Sequence, residues 1–167
     1  MLEKIQGNAY ILGDDINTDD IVPSDVLTLR DTAEMAKNTL KYLDPEFKNN
    51  VKKNNIIIAG ENFGTGSSRE EAVNVFKVLG VKTIIAKSFA RIYFRNLINL
   101  GIPGIQLKWT DEHFSQSDNL EIQLKKGIII NKTKNIELNF DQLPDFLINI
   151  LEEGGIINQL KRRNLHK

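Results

Sequence analysis

Ile56-Ile57-Ile58-Ala59 passes directly into Gly60-Glu61-Asn62-Phe63-Gly64-Thr65-Gly66-Ser67-Ser68-Arg69-Glu70. Four apolar positions, mostly β-branched and bounded by glycine, read as a buried strand, and Gly60 to Gly66 as a tight turn. Ala72, Val75, Phe76 and Leu79 then recur at i, i+3, i+4 and i+7, which is one face of a helix stopping at Gly80. Val81 to Ala86 reads as a second buried strand. Ser88 is placed to cap a helix carrying Phe89, Ile92 and Leu97. After Gly101, Pro103 and Gly104, Ile105-Gln106-Leu107 reads as a third strand. Strand–helix–strand–helix–strand over 56–107 predicts a parallel βαβ core.

Outward from this core the pattern changes. Ile5 to Leu12 reads as a strand ending at Gly13-Asp14-Asp15, followed by a polar loop through Asn17-Thr18-Asp19-Asp20 and Pro23-Ser24-Asp25. Asp31 with Glu34 forms a capping pair for a helix through Leu40, which Asp44-Pro45 ends. Leu120 to Leu124, Ile128 to Ile130 and Ile136 to Leu138 read as short antiparallel strands, a small barrel or a second sheet layer. Leu143, Phe146, Leu147, Ile150 and Leu151 mark an amphipathic helix stopped by Gly154-Gly155. With no repeat, linker or low-complexity segment, the expectation is one α/β domain over residues 1–167.

Composition narrows the function classes. Hydrophobic residues make up 41% and charged residues 26% of 167, ordinary for a folded domain. Lys+Arg and Asp+Glu are both 22, so the net charge is zero, which argues against generic nucleic-acid or anionic-membrane binding. No stretch approaches the roughly 18–20 apolar residues of a membrane span. Residues 1–5 lack the apolar run of a signal peptide, so a cytoplasmic protein is expected. There is no cysteine, hence no disulfide and no thiolate ligation of an iron–sulfur cluster. The two histidines, His113 and His166, lie too far apart in sequence to suggest a self-contained zinc or haem site.

Ser67 and Ser68 fall between the glycine turn and the following helix. Gly64 and Gly66 let the backbone turn sharply and approach a ligand. The unpaired amides and partial positive charge of a helix start favour a carboxylate, a phosphate or a serine alkoxide. Arg69 adds a planar cation suited to carboxylates. The plainer alternative makes one serine a helix N-cap with Glu70 or Glu71 as its box partner. A phosphate-binding P-loop is set aside, because no lysine follows the glycines. The Gly64-Thr65-Gly66 centre is not a nucleophile elbow either.

Gly60 to Glu70 resembles the signature of the aconitase swivelling domain. Lys87-Ser88-Phe89-Ala90-Arg91-Ile92-Tyr93-Phe94-Arg95-Asn96, followed by Asn99-Leu100-Gly101, is similar to its second signature. Gly13-Asp14-Asp15-Ile16-Asn17-Thr18-Asp19 and Pro23 resemble its N-terminal loop. The likeness runs from about residue 5 to 163. It implies a three-layer β/β/α fold in which the parallel βαβ core carries additional short antiparallel strands. A separate chain of this length is similar to the small subunits of the isopropylmalate dehydratase and homoaconitase family.

That resemblance implies a hydro-lyase with Ser67 as the catalytic base and Arg69 stabilising its alkoxide. Ser68 and backbone amides around Gly66 would hold a substrate carboxylate, with Asp19 completing the polar wall. It also implies no metal on this chain and a [4Fe–4S] cluster on a separate large subunit, so the chain alone is expected to be inactive. The substrate would be a small di- or tricarboxylate hydroxy acid. The loop after Pro23 chooses it: Val26, Leu27 and Leu29 suit an isopropyl group beside Thr28, whereas Arg30 suits an extra carboxylate unless it is simply solvated. Isopropylmalate is the preferred reading, homoaconitate or citrate the alternative. Arg91 and Arg95 lie one turn apart, suited to structural pairing, to the large subunit or to anions. Phe63, Phe89, Tyr93 and Phe94 read as core or interface. An anion-binding regulatory module and RNA binding are the non-enzyme alternatives; the intact Ser67-Ser68-Arg69 set argues against the first and neutral charge against the second.

Overall fold

The computed structural model describes residues 2–165; Met1, His166 and Lys167, and with them the ends expected for the domain, lie outside the described residues. In chain order the elements are β1 (Ile5–Ile11), α1 (Thr18–Ile21), α2 (Thr32–Ala36), α3 (Phe47–Asn50), β2 (Ile56–Ala59), α4 (Glu71–Val78) and β3 (Thr83–Ala86). They continue as α5 (Arg91–Asn99), β4 (Gly104–Gln106), β5 (Asn119–Gln123), β6 (Ile128–Asn131), β7 (Ile136–Asn139), α6 (Asp145–Glu152) and α7 (Ile156–Leu165).

The expected parallel core is present. One seven-stranded sheet runs β4-β3-β2-β1-β5-β6-β7. β1 is its seam. Its later residues Ala9–Ile11 pair in parallel with Ile56–Ile58 of β2, while Ile5–Asn8 pair antiparallel with β5. The antiparallel strands therefore extend the parallel sheet instead of closing a separate barrel. Yet the sheet curls, because Leu120, Ile122 and Ile129 share one apolar core with Ile56, Ile58 and Ile85 of β2 and β3. The antiparallel half thus acts as a second layer, and the architecture is the aconitase swivelling-domain fold.

Alternation along β2 and β3 divides the interior in two. Ile57, Ala59, Ile84 and Ala86 face α4 and the N-terminal loops; Ile56, Ile58 and Ile85 face the β5–β7 layer. Both strands are wholly buried, as covered parallel strands must be. Beneath the loops runs an aromatic chain, Tyr10–Phe47–Phe76–Phe63–Tyr93, with ring centroids 4.9, 5.9, 6.3 and 5.5 Å apart. Phe47, Phe63 and Phe76 are fully buried. Each such side chain contributes roughly 1.5–3 kcal/mol on leaving water. Phe63 and Tyr93 are therefore core residues, as expected.

One helix is shorter than its pattern. Asp31 caps α2 through Ala33 N at 3.2 Å, but Glu34 pairs with Lys37 instead of closing a capping box. The chain then turns, with Leu40 at φ +56° and its amide donated to the Ile21 carbonyl, 3.1 Å away. A tertiary hydrogen bond replaces the helical one, so α2 stops at Ala36.

Candidate active site

β1, β2 and β3 all end at the same edge of the sheet, where open α/β folds collect their ligand loops. The loops leaving these strands are laced together by backbone bonds. Gly60 N donates to Gly13 O (3.1 Å), Gly64 N to Ile16 O (2.7 Å) and Thr18 N to Thr65 O (2.8 Å). On the other side Phe63 N donates to Ser88 O (3.0 Å) and Ala90 N to Phe63 O (2.9 Å). The glycine turn is held between the two neighbouring loops like an extra strand.

Two glycines are required there. Gly64 has φ +83°, and a Cβ on it would lie 2.1 Å from the Tyr93 ring. Gly66 has φ +98°, with the Thr18 hydroxyl oxygen 3.1 Å from where its Cβ would be. Tyr93 is itself fixed, buried and donating its hydroxyl to Ala72 O at 2.8 Å. Burial pushes its phenol well above the ordinary value. The close approach of α5 to the turn is thus built from a glycine without a side chain and an immobile ring.

A cavity of about 300 Å³ opens at this point, lined by Gly66, Ser67, Ser68 and Arg69 from the turn and by Thr18, Arg91 and Asn96 from its flanks. Ser67 and Ser68 are exposed to it. Thr18, buried, donates its hydroxyl to the Ser67 carbonyl at 2.9 Å and so fixes that backbone. Arg69 Nη1 lies 2.6 Å from Asp19 Oδ1 and 3.2 Å from Val22 O. Asp19 stands in the first turn of α1, whose capping box joins the Asn17 side chain to Asp20 N (2.8 Å) and the Asp20 carboxylate to Asn17 N (3.0 Å). Asp19 is placed as the partner that holds Arg69 beside the cavity.

Some expected details differ. Neither serine is a helix cap: α4 starts at Glu71, and its N-cap Glu70 makes no side-chain cap bond. The macrodipole fades within about one turn, so α4 contributes less at Ser67 than the sequence suggests. The helix start that opens on the cavity is that of α5, through Ala90, Arg91 and Ile92. Ser88 does not cap α5, whose N-cap is Ala90. The Ser88 hydroxyl instead accepts from Asn62 N (2.8 Å) and donates to Glu61 (2.6 Å), tying two loops together.

The loop after Pro23 stands apart from this cavity. Val26 is 1% exposed and packs in the core. Leu27 is half-buried against the same core, while Thr28, Leu29 and Arg30 are exposed. Thr28 donates its hydroxyl to Asp25 O (2.8 Å), and Asp25 accepts from Tyr42 OH (2.9 Å) and Lys41 Nζ (2.5 Å). Sequence reasoning missed Thr18 and Asn96 as cavity residues. Their only signal was membership of the two flanking motifs.

The arrangement suits a carboxylate: two hydroxyls without a hydrogen-bond partner among the described residues, a clamped guanidinium, a second arginine and a helix start. It does not suit an iron–sulfur cluster. The chain has no cysteine, and among the described residues no three His, Asp or Glu side chains cluster as ligands. No helix among the described residues is long and apolar enough to cross a membrane.

Comparison with known proteins places this geometry. The sequence profile of the aconitase C-terminal domain matches residues 11–110. A 3-isopropylmalate dehydratase small subunit of Methanopyrus kandleri is 42% identical over 97% of this chain and 95% of its own. One from Thermotoga maritima is 47% identical over 95% of each chain. The crystal structure of a 3-isopropylmalate dehydratase chain from Methanocaldococcus jannaschii superposes with a TM-score of 0.89, at 41% identity, covering 97% of this chain and 96% of that one. With matches of this length spanning both the glycine turn and the loops laced to it, the chain belongs to the aconitase C-terminal-domain family and, within it, to the 3-isopropylmalate dehydratase small subunits.

Proposed function

We propose that this chain is the base-supplying small subunit of a hydro-lyase that interconverts 2-isopropylmalate and 3-isopropylmalate by dehydration and rehydration, in cytoplasmic leucine biosynthesis. The observation that carries the reading is the cavity in which Ser67, Ser68 and Arg69 meet Thr18 and Arg91. The names of its relatives favour isopropylmalate over a homoaconitate-type substrate.

Ser67, as alkoxide, takes the proton from the carbon next to a substrate carboxylate while hydroxide leaves the neighbouring carbon. A serine hydroxyl is a weak base near neutral pH and needs its anion stabilised. Arg69 and the α5 amides supply positive charge aimed into the cavity, as an oxyanion site does. Ser68 and the amides about Gly66 hold the carboxylate. Departure of the hydroxide calls for chemistry this chain lacks. A large partner subunit bearing a [4Fe–4S] cluster is the expected source, and the open cavity becomes an active site only against that partner.

The test is reconstitution. The purified chain alone should not turn over isopropylmalate, homocitrate or citrate. Adding a cluster-loaded large subunit should restore turnover with isopropylmalate preferred. Activity without a partner, or a preference for homocitrate or citrate, would overturn the reading in its mechanism or in its substrate respectively.

A further inference from the structure

α5 separates two cavities. At about 100° per residue, Tyr93 and Asn96 face the site that holds the serines, while Phe94 and Ile98 face the opposite way. The exposed ridge between them carries Arg91, Ile92, Arg95 and Asn99. On the far side lies a groove of about 810 Å³ between α5, the outermost strand β4 and α6. Its apolar wall includes Phe94, Leu143, Phe146 and Leu147. Phe146 is 65% exposed on the outer face of α6, and Ile92, on the ridge, is 56% exposed.

The charge on this ridge is one-sided. α5 holds two arginines and no acid, and neither arginine enters an ion pair among the described residues. Arg91 is the first residue of the helix, where the macrodipole disfavours a cation. Helix stability does not explain it. Arg91 also lines both cavities, so a surface that covers the serine site runs directly over the ridge into the groove.

We infer that the α5–α6 groove is the docking surface for the large subunit, receiving a segment that presents apolar side chains flanked by carboxylates to Arg91 and Arg95. This rests on the proposed function for the partner's identity. The groove supplies apolar area, and the arginine pair supplies orientation and a salt-dependent encounter. Because the same helix bounds both cavities, docking here would also seat the partner over Ser67.

The experiment measures the affinity of the full chain for the cluster-loaded large subunit at two salt concentrations. Arg95→Glu and Phe146→Asp, both exposed and outside the serine cavity, should weaken binding at least tenfold. Turnover at saturating partner should stay within twofold, and melting temperatures should be unchanged. Arg95→Lys should bind within about threefold of wild type, and Arg95→Glu should flatten the salt dependence. If the wild-type chain binds and is activated but both variants bind equally well, the groove is not the docking surface, while the proposed function stands. If Phe146→Asp instead abolishes self-association, the groove serves a second copy and the inference fails. If the wild-type chain itself neither binds nor is activated, the functional reading falls, and this inference with it.

Discussion

The Arg69 guanidinium meets the Asp19 carboxylate at 2.6 Å and the Val22 carbonyl at 3.2 Å through the same nitrogen, Nη1. The Nε and Nη2 hydrogens therefore remain without an acceptor among the described residues, and that edge of the fork matches a carboxylate bidentately. With its side chain 19% exposed, Arg69 is positioned by the N-terminal loop and offered to the cavity.

Arg69→Lys should therefore cost more than a conservative exchange suggests. A lysine keeps the charge but not the two-pronged edge. Reconstituted enzyme carrying it should lose about 10²-fold in kcat/KM. Asp19→Asn, which leaves Arg69 in place but loosely held, should cost about tenfold. Equal kinetics for Asp19→Asn and wild type would show that the pair is not positioning anything.

Ser67→Ala should lower kcat of the reconstituted enzyme by at least about 10³-fold, within the range for loss of a general base. Substrate binding should be largely spared. Ser68→Ala should instead raise KM. The contrast is read from steady-state kinetics together with direct binding of isopropylmalate, and equal loss of turnover and binding in Ser67→Ala would reassign Ser67 to binding.

Gly64→Ala should destabilise the chain by about 3 kcal/mol, combining a positive φ with overpacking. The new Cβ would fall 2.1 Å from a Tyr93 ring whose hydroxyl is already bonded to Ala72 O. Denaturant unfolding measures this directly. Gly13→Ala, where a Cβ meets nothing within 4 Å, is the control.

Glu121 predicts an acid limb to stability. The Lys132 ammonium at 3.0 Å, then the amides of Gln123 and Gln6, hold its carboxyl down to about 2. Unfolded, it titrates near the ordinary glutamate value of about 4.3. The folded form is therefore favoured above that value, and the contribution is lost as pH falls from roughly 5 to 2. Unfolding free energy followed across this window should drop less steeply in Glu121→Gln than in wild type.

Much of the fold was legible locally. The apolar runs at 56–59 and 81–86, the helical period through Ala72 and Leu79, and the alternation after residue 120 are all patterns within one element. Each survives because covered strands and one-sided helices impose a short period on their own residues. The helix after Asp31 is shorter than its local pattern for the converse reason: the bond from Leu40 N to Ile21 O spans separate segments, and no local period announces it.

By itself, the sequence determined the family, through three motifs in order, and, with no cysteine in the chain, that no thiolate of its own can ligate an iron–sulfur cluster. It also marked Ser67, Ser68 and Arg69 as one unit, since neighbours in a turn stay together in any fold. Only the tertiary structure decided what surrounds them. Asp19 reaches Arg69 and Thr18 reaches Ser67 across about fifty residues, because β1 and β2 pair in register and end at one edge. The same packing turned Val26 into the core and put the start of α5, rather than α4, on the cavity. Pair distances between remote segments are set by strand register and side-chain packing, and neither is written in any local stretch of the chain.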